Sequence, residues 1–341
     1  MTSIFLITIA AFISCITVPF VKVLAKKVGA IDEPTGGRRI HKKPMPRLGG
    51  LSIYISFIIT MTFFTESIGK EEICIMIGAT VIVIGGIIDD IKELSPKCKF
   101  MFQIVASLIL IVGNIKISIV SNPFNSNFAY FDINYLSIPI TIFWVVGITN
   151  AFNFSDGLDG LCAGMGFISS FTVFLIALSN GRGEAAALII VLAGAILGFL
   201  PYNFNPASIF LGDTGSQLIG FLIASISMVG TLKYATVFTI AVPILAIGIP
   251  ILDTAFAMIR RKINGRSMFS ADKGHLHHRL LNLGLSQRKA VSIMYLINGG
   301  LSIIAVIAME LETNVAYILF AITILIIIII GWKLSFFRMK E

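Results

Sequence analysis

Apolar stretches alternate with short polar segments along the whole chain, falling over residues 3–25, 48–65, 72–88, 100–113, 136–150, 160–178, 185–200, 207–228, 234–258, 289–308 and 314–332. Most approach the roughly 17 to 25 residues that carry a helix across a bilayer. The pattern therefore predicts eleven spans, of which the fourth and fifth are the shortest. No soluble domain separates from them. The expected fold is all-α, a polytopic transmembrane helical bundle forming one domain over residues 1–341.

Composition agrees. The 341 residues are 56% hydrophobic and 13% charged, with a mean hydropathy of +0.93, more apolar surface than one water-soluble core can hide. The first residues, Met1-Thr2-Ser3, lead into an apolar run with no basic segment before it and no small-residue cleavage site, so an uncleaved first span is expected rather than a signal peptide. Cys15, Cys74, Cys98 and Cys162 are scattered without C-x-x-C or zinc-finger spacing. Neither a disulfide framework nor a structural zinc site is indicated.

Charge orients the bundle. With the N-terminus outside and the C-terminus cytoplasmic, 22 of the 26 Lys and Arg residues fall on inner segments, leaving Lys70, Lys116, Arg182 and Lys233 outside. Such a bias follows the positive-inside rule and supports the number of spans, because one helix more or fewer would scramble it. The net charge of +8 thus belongs almost wholly to the cytoplasmic face, where it also suits anionic lipid headgroups.

The acids break this pattern. Asp89 and Asp90 close the third span, Asp156 and Asp159 precede the sixth, and Asp213 precedes the eighth, all on the basic face. Taken singly, each could be a solvated helix end or an N-cap, Asp156 and Asp159 especially. Their surroundings are G-G-I-I-D-D-I-K-E-L, N-A-F-N-F-S-D-G-L-D-G-L and F-L-G-D-T-G-S. Gly157, Gly160, Gly212 and Gly215 allow close backbone approach, and amides at helix starts favour phosphate oxygens. Oxygen ligands on several loops suit Mg²⁺ held with substrate phosphates, with Mn²⁺ as the alternative ion.

The last large loop, Arg260 to Lys289, adds cations and His275-Leu276-His277-His278. A zinc role for these histidines lacks a fourth ligand nearby. Asp253, inside the ninth span, is either functional or a structural partner for a basic residue. Neither a P-loop nor a dinucleotide glycine fingerprint is present, since Gly164-Met165-Gly166 lacks its third glycine.

Taken together, these residues resemble the polyprenyl-phosphate N-acetylhexosamine-1-phosphate transferases across the whole chain. The likeness starts in I-D-E-P-T-G-G-R-R-I-H-K-K-P-M-P-R-L-G-G and continues through Asp-Asp, N-x-x-N-x-x-D-G-L-D-G-L, L-G-D-T-G-S and H-L-H-H in order. It implies cytoplasmic active-site loops near 26–47, 89–99, 150–160, 201–213 and 259–289, in a multi-pass protein of the bacterial cytoplasmic membrane. The implied partners are a UDP-N-acetylhexosamine, a polyprenyl phosphate lipid and the membrane, with no nucleic acid; homodimerisation is left open. The products would be polyprenyl-diphosphate-sugar and UMP, formed with Mg²⁺.

By the same resemblance, Asp213 looks like the metal carboxylate, with Asn153 as a second oxygen ligand. Asp89, Asp90, Lys99 and Asp156 are the implied catalytic group, Lys99 facing the diphosphate. Phe210 looks like the ring that stacks on uracil. Asn150, Asn203, Gly157, Leu158 and Asp159 would line the nucleotide side, and Arg261, His275, His277 and His278 would contact sugar and diphosphate. Two positions depart from the pattern: Glu93 stands where some relatives have a third Asp, and Met268 where proline is common before Asp272.

H-L-H-H in place of three adjacent histidines points to UDP-N-acetylglucosamine over UDP-muramoyl-pentapeptide. The product would prime an envelope glycan such as teichoic acid or O-antigen. A transporter or lipid flippase is the rival from another class, but it would place its ionisable groups near the midplane in repeated halves. A phosphate monoester has a second pKa near 6, so the lipid nucleophile is mostly ionised at neutral pH. Asp89 and Asp90 are thereby left open as base, transient nucleophile or positioning groups.

Overall fold

The computed structural model describes residues 2–34, 44–65, 68–121, 130–230, 238–267 and 274–333. Arg38, Arg39, Lys42, Lys43, Lys233, Lys273, Arg338 and Lys340, which contribute to the charge bias, lie outside the described residues, as do Met268 and Asp272. The described residues form an all-α polytopic architecture. Each predicted segment overlaps a helix, in the order α1 (Ser3–Val28), α2 (Gly50–Phe64), α3 (Lys70–Lys92), α4 (Pro96–Val112), α5 (Ser137–Phe154), α6 (Leu161–Ser179), α7 (Gly183–Asn203) and α8 (Gly212–Gly230). The ninth is two helices, α9 (Phe238–Ile247) and α10 (Ile249–Ile263), followed by a short α11 (Leu276–Asn282), α12 (Gln287–Glu310) and α13 (Thr313–Lys333). Two small antiparallel hairpins complete the described chain, β1 (Ile31–Asp32) with β2 (Met45–Pro46) and β3 (Ile119–Ser121) with β4 (Tyr130–Asp132).

Among the described residues, seven helices are long and apolar enough to cross a membrane: α1, α3, α5 with the 3₁₀ turn before it, α6, α7, α12 and α13. The other predicted spans fall short for identifiable reasons. α2 has 15 residues, α4 opens on Pro96, Lys97 and Lys99, and α8 carries Asp213, Ser216 and Gln217 near its start. The ninth is interrupted at Gly248, which has φ +37 and is followed by Ile249-Pro250, a sequence that cannot continue the helical hydrogen-bond ladder. The amide of Ile249 freed there donates to Asn298 Oδ1 of α12 at 3.0 Å, as a break in an apolar medium requires.

α8 is the central stave. From Thr214 to Gly230 every residue is buried, and α2, α3, α5, α6 and α7 pack around it. Gly212 and Asp213, in its first turn, are the residues of α8 that are less than fully buried. α1 lies along α7 on the outside, while Phe12, Phe20, Phe63, Phe143, Leu296 and Trp332 remain exposed. So much bare aromatic and aliphatic surface marks a lipid-facing exterior.

Candidate active site

The first turn of α8 is held by a carboxylate from α3. Asp90 Oδ1 accepts from the Asp213 amide at 3.0 Å and from Arg47 Nε at 3.1 Å. Its Oδ2 accepts from the Thr214 amide at 3.1 Å and the Thr214 hydroxyl at 2.6 Å. Asp90, which is buried, thus caps a helix more than a hundred residues away in sequence, satisfying amides that helix starts leave orphaned and placing its charge at the positive end of the dipole. Both of its oxygens are occupied.

Gly212 makes this arrangement possible. It adopts φ +73, and a Cβ there would collide with Arg47 O and the Asp90 carboxylate. Gly212→Ala is therefore expected to destabilise the protein by about 2 kcal/mol or more, since positive φ alone costs an L-residue ~1–2 kcal/mol. A thermal melt of the detergent-solubilised protein checks this, and an unchanged Tm would contradict the packing.

Beside this cap, Lys99 bridges two further acids, its Nζ lying 2.7 Å from Asp89 Oδ2 and 2.7 Å from Asp213 Oδ2. Asp89 Oδ1 also accepts from the Leu94 amide at 2.6 Å, and Asp213 Oδ2 from Gln217 Nε2 at 3.1 Å. One oxygen from each of Asp89, Asp90 and Asp213 can be chosen so that all lie within 4.8 Å of one another. An all-oxygen donor set of this density fits a hard divalent cation. With Asp90 already engaged, Asp213 and Asp89 are the carboxylates able to serve it. Asn153 is suitably placed as a further oxygen donor: its Nδ2 is given to Ser216 Oγ at 3.0 Å, one turn along α8 from Asp213, which leaves its Oδ1 for a ligand.

The loop between α5 and α6 closes the other side. Asp156 has no hydrogen-bond partner for its carboxylate among the described residues. Removal from water, and then the charges of Asp213 and Asp90, push that carboxyl up to about 8. Asp159 does not cap α6, which starts at Gly160 in a left-handed conformation with no side-chain cap. Instead its Oδ2 accepts from Asn205 Nδ2 at 2.9 Å and the Ala207 amide at 3.1 Å, and so holds the loop before α8. Asn203 is similarly committed, accepting from the Gly160 amide at 3.1 Å and donating to Ile209 O at 3.0 Å. Leu158 packs with Leu161, Met165 and Met294 in a small apolar cluster, so any ligand contact there falls to its backbone. Phe210 is half-buried on the segment entering α8, its amide donating to Pro46 O at 2.8 Å and its carbonyl accepting from the Gly49 amide at 2.9 Å.

The histidines arrive from α11. Asp253 of α10, the acid with two sequence readings, has a basic partner: it accepts from the Leu276 amide at 2.9 Å and pairs with His275 Nδ1 at 2.9 Å. The stack His275, His277, His278 then lies with ring centroids 5.8 and 4.2 Å apart. His277 rests on Gly157, where a Cβ would strike its Nε2. Its buried Nδ1 has no partner, and burial, followed by the His278 charge, lowers its pKa to about 3, keeping it neutral. No metal-type grouping involves these histidines among the described residues. Arg260 is wholly buried against Gly274, and Arg261 is buried beside it on α10.

Residues to which the sequence assigned no role also shape the site. Arg47, Gln103, Gln217, Ser216, Asn205 and Tyr295, whose hydroxyl donates to Gly160 O, all bond to the predicted set. Gln103 and Gln217 had a sequence signal, being strongly polar residues within otherwise apolar helices.

Comparison with known proteins places this geometry in context. Residues 72–231 match the model of glycosyl transferase family 4. The chain is 41% identical over 328 residues to a protein of Bacillus subtilis (strain 168) named probable undecaprenyl-phosphate N-acetylglucosaminyl 1-phosphate transferase, covering 94% of this chain and 89% of that one. It is 37% identical over 316 residues to the decaprenyl-phosphate N-acetylglucosaminephosphotransferase of Mycolicibacterium smegmatis (strain ATCC 700084 / mc(2)155), covering 84% and 77% of the two chains. With the undecaprenyl-phosphate alpha-N-acetylglucosaminyl 1-phosphate transferase of Escherichia coli (strain K12), identity is 29% over 300 residues, covering 85% and 79%.

Proposed function

This chain belongs to glycosyl transferase family 4, and we propose that it transfers N-acetylglucosamine 1-phosphate from UDP-N-acetylglucosamine to a polyprenyl phosphate. The observation that carries the proposal is the meeting of Asp89, Lys99 and Asp213 at the edge of the bundle where α8 begins. The charge bias favours eleven spans with this edge facing the cytoplasm, where nucleotide sugars are found, and a bacterial plasma membrane as the setting.

A lipid-phosphate oxygen would attack the β-phosphorus of the donor, forming the new P–O bond as the bond to UMP breaks and UMP leaves with the bridging oxygen. A Mg²⁺ ion held by Asp213, Asn153 and Asp89 would supply neutralisation of the diphosphate charge. Lys99 balances the carboxylates and offers its ammonium to the phosphates. Asp90 maintains the helix start from which Asp213 projects. Neutral His277 seals the Gly157 side, where the donor nucleotide and sugar are proposed to lie with Phe210 and Arg261. With the nucleophile already ionised at neutral pH, positioning and charge carry most of the rate.

Purified full-length protein, given undecaprenyl phosphate and radiolabelled UDP-N-acetylglucosamine, UDP-N-acetylgalactosamine or UDP-muramoyl-pentapeptide, tests this directly. Label is expected in lipid, with UMP release, from UDP-N-acetylglucosamine in the presence of Mg²⁺. Preference for the pentapeptide donor would shift the substrate. No UMP release from any donor would favour a transporter.

A further inference from the structure

The carboxylate cluster continues inward as a row of buried amides. Gln217 Nε2 donates to Asp213 Oδ2 at 3.1 Å, Gln103 Nε2 to Gln217 Oε1 at 3.0 Å, and Asn150 Nδ2 to Gln103 Oε1 at 2.7 Å. Gln103 is 1% exposed and Gln217 4% exposed. Three helices, α8, α4 and α5, each contribute one amide.

The direction of the row follows from its charged end. An ionised carboxylate only accepts hydrogen bonds, so Gln217 must turn its NH₂ to Asp213 and its oxygen to Gln103. Gln103 then gives its NH₂ to Gln217, with a longer donation to Asn150 Oδ1 at 3.4 Å, and offers its oxygen to Asn150. The negative charge of Asp213 therefore orients the two glutamines in sequence, and the Asn150 NH₂ that completes the row donates also to Val146 O at 2.8 Å; in a low-dielectric interior such bonds polarise one another. Oδ2 of Asp213 receives both Lys99 and Gln217, which leaves Oδ1 as the oxygen for a cation. At the far end, Asn150 and Asn153 lie one turn apart on α5, so fixing the first also fixes the face that presents the second.

We propose that Gln103 and Gln217 are positioning residues that couple the cation side of the site, at Asp213, to the donor side, at Asn150 and Asn153. The two residues touch neither ligand; they set which oxygen of Asp213 is free and hold α5 in register with α8. This rests on the reaction proposed above for the identity of the two sides.

Gln103→Met and Gln217→Met keep side-chain volume while removing the amides. In detergent-solubilised full-length protein, Mn²⁺ affinity by EPR reads the cation side and UMP affinity by calorimetry reads the donor side. Each variant is expected to weaken both by roughly five- to tenfold, about the worth of one ordinary intramolecular hydrogen bond. The double variant should be no worse than either single one, because both interrupt the same row. Either variant suffices alone if the other does not fold, since Gln217 makes no hydrogen bond to Asn150 and Gln103 none to Asp213. A folded single variant that binds Mn²⁺ and UMP as the wild type does, or losses that add in the double variant, would overturn the coupling. Failure of the wild type to transfer sugar phosphate counts against the reaction, whereas the relay stands or falls on the two affinities.

Discussion

Asp213→Asn is expected to lower transfer by about 10²- to 10³-fold, the usual effect of removing one preorganised electrostatic group at a reacting centre. The substitution keeps the size of the side chain and an oxygen able to accept from Gln217 and Lys99, so the start of α8 should persist. What it removes is the charge. Lys99 would then face one carboxylate instead of two, Asp89 at 2.7 Å, and the oxygen cluster would lose the member best placed for a cation. Initial rates across a Mg²⁺ titration measure both effects. Near-normal activity with unchanged half-saturation by Mg²⁺ would remove Asp213 from the metal site.

Asp90→Asn should also be severe, for a different reason. A carboxylate offers acceptors at both oxygens, and here both are used, by the Asp213 and Thr214 amides, the Thr214 hydroxyl and Arg47 Nε. An amide offers one oxygen, so its NH₂ must confront another donor in a buried space, and Arg47 loses its ionic partner. Breaking a buried pair on one side costs about 3–5 kcal/mol. Activity is expected to fall by the same factor at pH 6 and at pH 8, together with a lowered Tm. If Asp90 instead removed a proton from the lipid phosphate, activity would survive at pH 8, where that phosphate is ionised, and fail near pH 6.

Helices were largely legible in the sequence because hydropathy reports them directly. The broken ninth span was not, although Gly248-Ile249-Pro250 announces it, because averaging over a long apolar stretch hides a one-residue interruption. For the acids, proximity was readable and occupation was not. Asp89 and Asp90 are adjacent and chemically identical. Their difference lies in donors brought from 43 and 123 residues away, Arg47 and the amide of Asp213. The alternative reading of Asp156 and Asp159 as caps of α6 gave way to Gly160, whose left-handed backbone starts the helix without a side-chain cap, while Asp159 bonds to Asn205 and Ala207. Gln103 and Gln217 lay outside every recognised motif, and only packing reveals that they face one another.

The two acids at the end of α3 carry a consequence for how variation in such proteins is interpreted. A carboxylate with every lone pair engaged tolerates no substitute, because none reproduces its shape, its charge and its two acceptors together. Loss of Asp90 is therefore expected to be as damaging as loss of a residue that meets substrate. Invariance across relatives would register the two alike, and only measurements along the axes of pH and metal can tell scaffold from chemistry.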